Sequence, residues 1–98
     1  MIIGDPAAAR LVSLLEGVAA KVGVEVRYEK LDASEEDLPS SRGGFCRIRD
    51  RRVILVEESL GPIERGAVLA SALRRVDLSR VYIPPAARRA IEDAVEDR

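Results

Sequence analysis

The stretch that decides the fold is IERGAVLASALRRV, which runs from Ile63 to Val76. Its apolar side chains recur at steps of three and four residues, which is the period of an α-helix. Polar side chains interrupt the stretch at only five positions, so the predicted helix is apolar over more than half of its circumference. A helix of this kind packs on more than one side. We therefore predict a central core helix, with Pro62 in its first turn, packed against a sheet.

The residues before this helix predict another helix and a strand. A helix capped by Asp5 is predicted from Pro6 to Val22, because apolar residues form a stripe along it. From Val24 to Lys30 apolar and charged residues alternate, which indicates a strand with one solvent-exposed face. The polar segment from Leu31 to Arg42 is predicted to be an exposed loop.

Two neighbouring segments predict an antiparallel hairpin. The first strand runs from Gly44 to Arg49, the chain reverses at Asp50–Arg51, and the second strand runs from Arg52 to Glu57. The run from Val53 to Val56 is continuously apolar, which is typical of a strand covered on both faces. In the first strand, alternation places Phe45, Arg47 and Arg49 on one face and Cys46 and Ile48 on the inner face.

The residues after the central helix add one more element. The segment Val81–Ile83 is a short strand or an extended apolar link, and Pro85 begins a helix that is predicted to reach Glu96. Basic residues lie near the start of this helix and acidic residues near its end, and both placements oppose the helix dipole. We therefore expect the helix to fray or to be held by contacts with another chain, which is one reason to expect a homodimer.

These elements predict a single α+β domain over residues 1–98. A helix is followed by a three-stranded, mainly antiparallel sheet, then by the central helix and a short C-terminal helix. The length suits one domain with one modest core, which must be aliphatic because the chain has no Trp, one Phe and two Tyr.

The composition bears on chemistry and location. The chain has no His and one Cys, so an activated nucleophile and a zinc site are both unexpected. We expect no enzymatic activity, no metal and no cofactor. A net charge of −1 argues against a dedicated nucleic-acid or membrane-surface protein. No apolar run is long enough to span a bilayer, and the first residues do not have the pattern of a signal peptide, so a cytoplasmic location is expected.

The run from Leu69 to Arg75, LASALRR, resembles the active-site helix of the ImmA/IrrE-type zinc metallopeptidases. In that family a hairpin leads into a helix that reads roughly Leu-Ala-His-Glu-Leu-Gly-His, and the resemblance covers residues 8–76. Ser71 stands where the first zinc-binding His would be, Ala72 where the general-base Glu would be, and Arg75 where the second His would be. The resemblance implies a minimal zincin-like core that lacks its zinc site.

A basic group on the hairpin is the candidate binding surface. It consists of Phe45, Arg47, Arg49, Arg51 and Arg52, with Arg42 close by. Arginine and aromatic residues are enriched at protein interfaces, and they also occur in single-strand nucleic-acid binders, although a merely solvated strand face has the same pattern. The preferred hypothesis is a non-catalytic protein-binding or regulatory module. The alternative is a nucleic-acid-associated regulator that uses the Arg-rich hairpin.

Overall fold

The computed structural model describes residues 6–31 and 42–94, and it confirms an α+β fold. Most of the predicted loop between Leu31 and Arg42 lies outside the described residues, as do the last two residues of the predicted C-terminal helix. The elements, in chain order, are α1 (Pro6–Lys21), β1 (Glu25–Glu29), β2 (Gly43–Ile48), β3 (Arg51–Glu57), α2 (Pro62–Leu73) and α3 (Pro85–Asp93).

The sheet is mixed, which corrects the prediction of a mainly antiparallel sheet. The strand order is β1-β3-β2; β3 pairs in parallel with β1 and antiparallel with β2. The predicted hairpin is therefore confirmed, but its second strand lies in the centre of the sheet. Burial explains this order, since the run from Val53 to Val56 is buried at every position and a central strand is the one shielded at both edges.

One face of the sheet carries the helices. Ile54 and Val56 point from β3 into a core that α1 and α2 complete, while Val53 and Leu55 point to the opposite face. Tyr28 lies in register with Val56 on the helical side. The fully buried residues with the largest side chains are Leu15, Ile54, Leu69, Leu73, Val18, Val53 and Val56.

The third helix is held within the same chain, which corrects one reason for expecting a homodimer. Among the described elements α3 contacts only α1 and α2. The Arg74 guanidinium donates to the carbonyls of Ile91 at 3.1 Å and Glu92 at 3.0 Å, so a basic group from the end of α2 supplies the positive charge that the C-terminus of α3 lacks. Nearby, Ile83 is buried, and the Lys21 ammonium lies 5.5 Å from the centre of the exposed Tyr82 ring.

Truncating this arginine tests its capping role. We expect Arg74→Ala to lower the free energy of unfolding by about 1 kcal/mol, because two carbonyls at the end of α3 lose a charged donor. Arg75→Ala is the matched control, since Arg75 is the next residue in the chain and is exposed as Arg74 is. Chemical denaturation of both variants measures the difference, and equal effects would contradict the capping role of Arg74.

In the described part of the chain, no helix has the length and apolar character that crossing a membrane requires.

Candidate functional site

An apolar groove of about 500 Å³ lies between the three helices, and we call it the interhelical groove. Its size falls in the range of pockets that hold small ligands or large side chains. Most of its lining is aliphatic, so it favours an apolar group over a charged one. The lining residues are Ala8 and Leu11 from α1, Pro62, Ile63, Gly66, Ala67, Ala70 and Ser71 from α2, Ala90 and Asp93 from α3, and the neighbouring Arg42 and Ala94.

The groove exists because α2 carries small side chains where the other two helices approach it. A methyl group placed on Gly66 would lie 3.9 Å from both Leu11 and Val12, so α1 contacts α2 closely at this point. Ala67, the next residue, and Ala70, one turn after Gly66, do not fill the space between α2 and α3. Ile63 stands at the edge of this space with 69% of its surface exposed.

Charged groups flank the apolar lining. The Arg42 guanidinium lies 3.9 Å from the Glu64 carboxylate, and both side chains remain about half exposed. Asp93, at the end of α3, adds a carboxylate to the lining. An apolar centre with charged residues at its rim has the composition of a protein-binding site.

The three positions matched to the metallopeptidase motif do not converge. Ser71 lines the interhelical groove, whereas Ala72 is buried in the core and Arg75 is exposed. The α-helix ends at Leu73, so Arg75 lies beyond it and does not share one helical face with Ser71. Within residues 6–31 and 42–94, no group of three His, Cys, Asp or Glu side chains lies close enough to hold a metal ion.

The tip of the hairpin differs from its prediction by one residue. Register pairs Ile48 with Arg51, so the two-residue turn is Arg49–Asp50 and not Asp50–Arg51. Arg49 has a φ of 57°, the left-handed conformation that two-residue hairpin turns require. Arg49 therefore does not extend the face formed by Phe45 and Arg47.

The two faces of β2 are also reversed with respect to the prediction. Phe45 lies in register with Ile54 and packs half-buried against the helical core, so it is not part of an exposed basic face. Cys46 lies in register with Val53 on the face opposite the helices, and it is half-buried there rather than part of the inner face. Alternation then assigns Ile48 to the same side as Cys46.

The structure does not bring the basic residues of the hairpin onto one surface. Arg47 and Arg52 face each other across the strands on the helical side, and the Arg52 guanidinium donates to the carbonyl of Val22 at the end of α1. Arg51 projects from the opposite face, where its guanidinium lies 3.7 Å from Glu25. Arg52 thus has a structural contact, while Arg47 and Arg51 are exposed around the turn.

A polar link between α1, β1 and α2 was not found from the sequence. The Tyr28 hydroxyl donates to the Glu16 carboxylate, and the Arg65 guanidinium lies 4.9 Å from the centre of the Tyr28 ring. Arg65 also donates to the carbonyls of Leu60 at 2.8 Å and Glu58 at 2.9 Å. Burial and the Glu16 carboxylate raise the pKa of Tyr28 far above its ordinary value, so the phenol stays protonated. No local motif marks these residues, which are distant in sequence.

The Glu57 carboxylate accepts two backbone hydrogen bonds where the parallel strands β1 and β3 end. It accepts the backbone N–H of Leu31 at 2.8 Å and that of Ser59 at 2.9 Å. These hydrogen bonds lower the pKa of Glu57 below its ordinary value, and the hydrogen bond from Leu31 has the larger effect.

This pKa shift predicts a pH dependence of stability. A lowered folded-state pKa contributes stability above the unfolded-state pKa, and that contribution is lost as the pH falls through the folded-state pKa. We expect Glu57→Gln to be less stable than the wild type at neutral pH and equally stable once the wild-type carboxylate is protonated. Urea denaturation at several pH values, with Glu58→Gln as the control, measures this convergence. A difference that is independent of pH would contradict it.

Comparison of the chain with protein-family models, with curated proteins and with solved structures found no match.

Proposed function

We propose that this protein is a non-catalytic protein-binding or regulatory module that holds an apolar segment of a partner protein in the interhelical groove. The observation that supports this function is the open apolar space between α1, α2 and α3, with Ile63 exposed at its edge. Apolar surface concentrated in a groove and rimmed by charged residues marks interaction sites.

The shape and chemistry of the groove favour an amphipathic helix as the bound segment. Helical ligands insert large apolar side chains, spaced three, four or seven residues apart, into grooves between helices. The small lining residues Ala67 and Ala70 leave room for such side chains. Arg42 and Glu64 at the rim, together with Asp93, suit a segment that carries charges of both signs beside its apolar face.

We also propose that the module uses a metallopeptidase-like scaffold without a zinc site. The resemblance of α2 supports this proposal, together with Ser71, which lines the groove and matches the position of the first zinc-binding His. Purified protein that bound one zinc ion per chain and cleaved peptides would contradict this proposal.

Site-specific photo-crosslinking tests occupation of the groove directly. A photoreactive amino acid is placed at Ala67, which lines the groove, or at Ala9, an exposed alanine of α1 that lines neither the groove nor the pocket beside it. The protein is expressed in the cytoplasm, its proposed location. We expect one defined protein adduct from position 67 and none of the same mass from position 9. Equal labelling from both positions would contradict the proposal.

The captured segment, made as a synthetic peptide, then allows a binding measurement. We expect Ala67→Glu to weaken its binding at least about tenfold, because the longer side chain occupies the space left for the segment and its charge loses hydration there. Ala9→Glu is the matched control, because it makes the same exchange on an exposed helical position outside the groove. Calorimetric titration of the three proteins measures the effect, and unchanged binding to Ala67→Glu would place the peptide elsewhere.

The exposed arginines around the hairpin turn favour one second candidate function, a nucleic-acid-associated regulator. Arg47, Arg49 and Arg51 are all exposed within five residues. Fluorescence anisotropy with an oligonucleotide would then show an affinity that falls steeply with salt and is lost in an Arg47→Ala/Arg49→Ala variant. Binding that is insensitive to both salt and these substitutions would contradict this candidate.

A further inference from the structure

Strand β1 lies at the edge of the sheet that the described residues form. It is terminal in the order β1-β3-β2, so within residues 6–31 and 42–94 its outer edge pairs with no other strand. The carbonyl of Glu29 accepts the N–H of Glu58 at 2.9 Å, which shows that the backbone groups of Glu29 point toward β3. Backbone groups alternate in direction along a strand. Those of Val26, Tyr28 and Lys30 therefore point outward, where another strand can pair with them.

The side chains of this edge alternate in charge. Glu25, Arg27 and Glu29 project from the face opposite the helices, and the Arg27 Nε lies 2.7 Å from the Glu25 carboxylate. Charges on an edge strand usually prevent pairing with other strands. An acid-base-acid pattern is different, because it complements itself when two copies of the strand run antiparallel in a suitable register.

A symmetric antiparallel pair places one residue of β1 on the twofold axis. With Glu25, Arg27 or Glu29 on the axis, two like charges face each other, and directly opposed like charges are destabilising. With Val26 on the axis, Val24 has to pair as well, but its N–H already donates to the carbonyl of Ala19 at 2.9 Å.

The remaining register has Tyr28 on the twofold axis. Arg27 of each copy then lies opposite Glu29 of the other, so the dimer gains two pairs of opposite charges. Val26 of each copy lies opposite Lys30 of the other, and both residues have outward-pointing backbone groups. This is the register in which the charges and the backbone hydrogen bonds agree.

The neighbouring helix leaves room for a second copy. The contact between Glu16 and Tyr28 marks the side of α1 that lies over β1. Ser13 and Ala20, three residues before and four after Glu16, lie on that side and are exposed, as is Gly17. Added Cβ atoms on Gly17 would meet no atom within 4 Å. A twofold axis normal to the sheet brings the two α1 helices together along these small residues.

From these observations we infer that the β1 edge is a homodimerisation surface, where two copies pair antiparallel about Tyr28 and form a continuous six-stranded sheet. This inference is independent of the groove and of the protein-binding function proposed for it. Its chemical partner is a second copy of this chain.

Sedimentation velocity of the purified chain is the first test. We expect the average mass to rise from that of a monomer to that of a dimer between about 1 μM and about 1 mM, the range of weak specific complexes. A monomer throughout this range would overturn the inference.

Charge reversal tests the register. Arg27→Glu and Glu29→Arg should each raise the dimer dissociation constant about tenfold or more, because two attractive pairs become repulsive. Mixing the two variants should restore association, since both pairs in the mixed dimer are again of opposite charge. Association of each variant alone at the wild-type level, or failure of the mixture to associate, would overturn the register.

A backbone substitution tests the strand pairing independently of charge. Lys30→Pro removes an N–H that points outward in the monomer but donates across the proposed interface. We expect this variant to remain folded by circular dichroism and to be monomeric, while Lys30→Ala still dimerises. Unchanged dimerisation of a folded Lys30→Pro variant would show that the β1 edge is not the interface.

Discussion

Gly43→Ala is expected to lower the free energy of unfolding by about 3 kcal/mol or more. Gly43 is the first residue of β2 and has a φ of 131°, a backbone conformation that residues other than glycine rarely adopt. A Cβ atom built on it would lie 2.0 Å from the carbonyl oxygen of Leu55. That oxygen belongs to the central strand, so it cannot move without disturbing the whole sheet.

The matched control uses another glycine of the same chain. Gly17 lies on the exposed side of α1, and an added Cβ would meet nothing within 4 Å. Gly17→Ala is therefore expected to raise the free energy of unfolding by up to about 1 kcal/mol, because alanine is the better helix former. Urea denaturation of both variants measures the contrast. Similar effects for the two substitutions would contradict the close approach of Gly43 to Leu55.

Leu69→Ala is the second substitution with a large expected effect. Leu69 is fully buried in the middle of α2, within the core that joins the helices to the sheet. Its truncation removes apolar contacts and leaves a cavity, so we expect a loss of about 2–5 kcal/mol in the free energy of unfolding. Helix propensity does not offset this loss, because leucine and alanine are both good helix formers.

Ile63→Ala on the same helix is the control for this prediction. Ile63 is 69% exposed, so the free energy of unfolding should change by no more than about 0.5 kcal/mol. If the interhelical groove binds a partner segment, the same substitution should weaken that binding while the fold remains intact. Thermal and chemical denaturation of both variants separate the two roles, and a large loss of stability for Ile63→Ala would contradict its exposed placement.

Hydrophobic periodicity was enough to locate every helix and strand of the described chain to within a few residues. One inaccurate boundary is the end of α2, where Val76 is apolar and buried but the helix already ends at Leu73. A buried apolar residue in a turn continues the helical stripe, so periodicity alone extends the helix too far. This difference decides the position of Arg75 and with it the geometry of the metallopeptidase motif.

The faces of β2 were not predictable from its own residues. Alternation correctly separates Phe45 from Cys46, but it does not say which of the two sets meets the helices. The central strand gives no help, because Val53 and Ile54 are both fully buried on opposite faces. Only the contacts of the assembled sheet assign Phe45 to the core.

The position of β1 and the interhelical groove depend on contacts between distant parts of the chain. No turn signal connects β1 with β3, because their paired residues Glu25 and Val53 are far apart in sequence. The groove likewise requires three helices to meet, although the apolar circumference of α2 indicated that this helix packs on more than one side. Sequence patterns describe what each segment can bury, but they do not identify which distant segment covers it.

The central place of β3 has a consequence for the order of folding. The hairpin of β2 and β3 closes through a two-residue turn, whereas β1 and β3 pair only after a much longer loop has closed. During synthesis β1 leaves the ribosome before β3, the strand with which it pairs in the described sheet, so this pairing waits until β3 has emerged. We therefore expect the hairpin to nucleate folding and the docking of β1 to limit its rate.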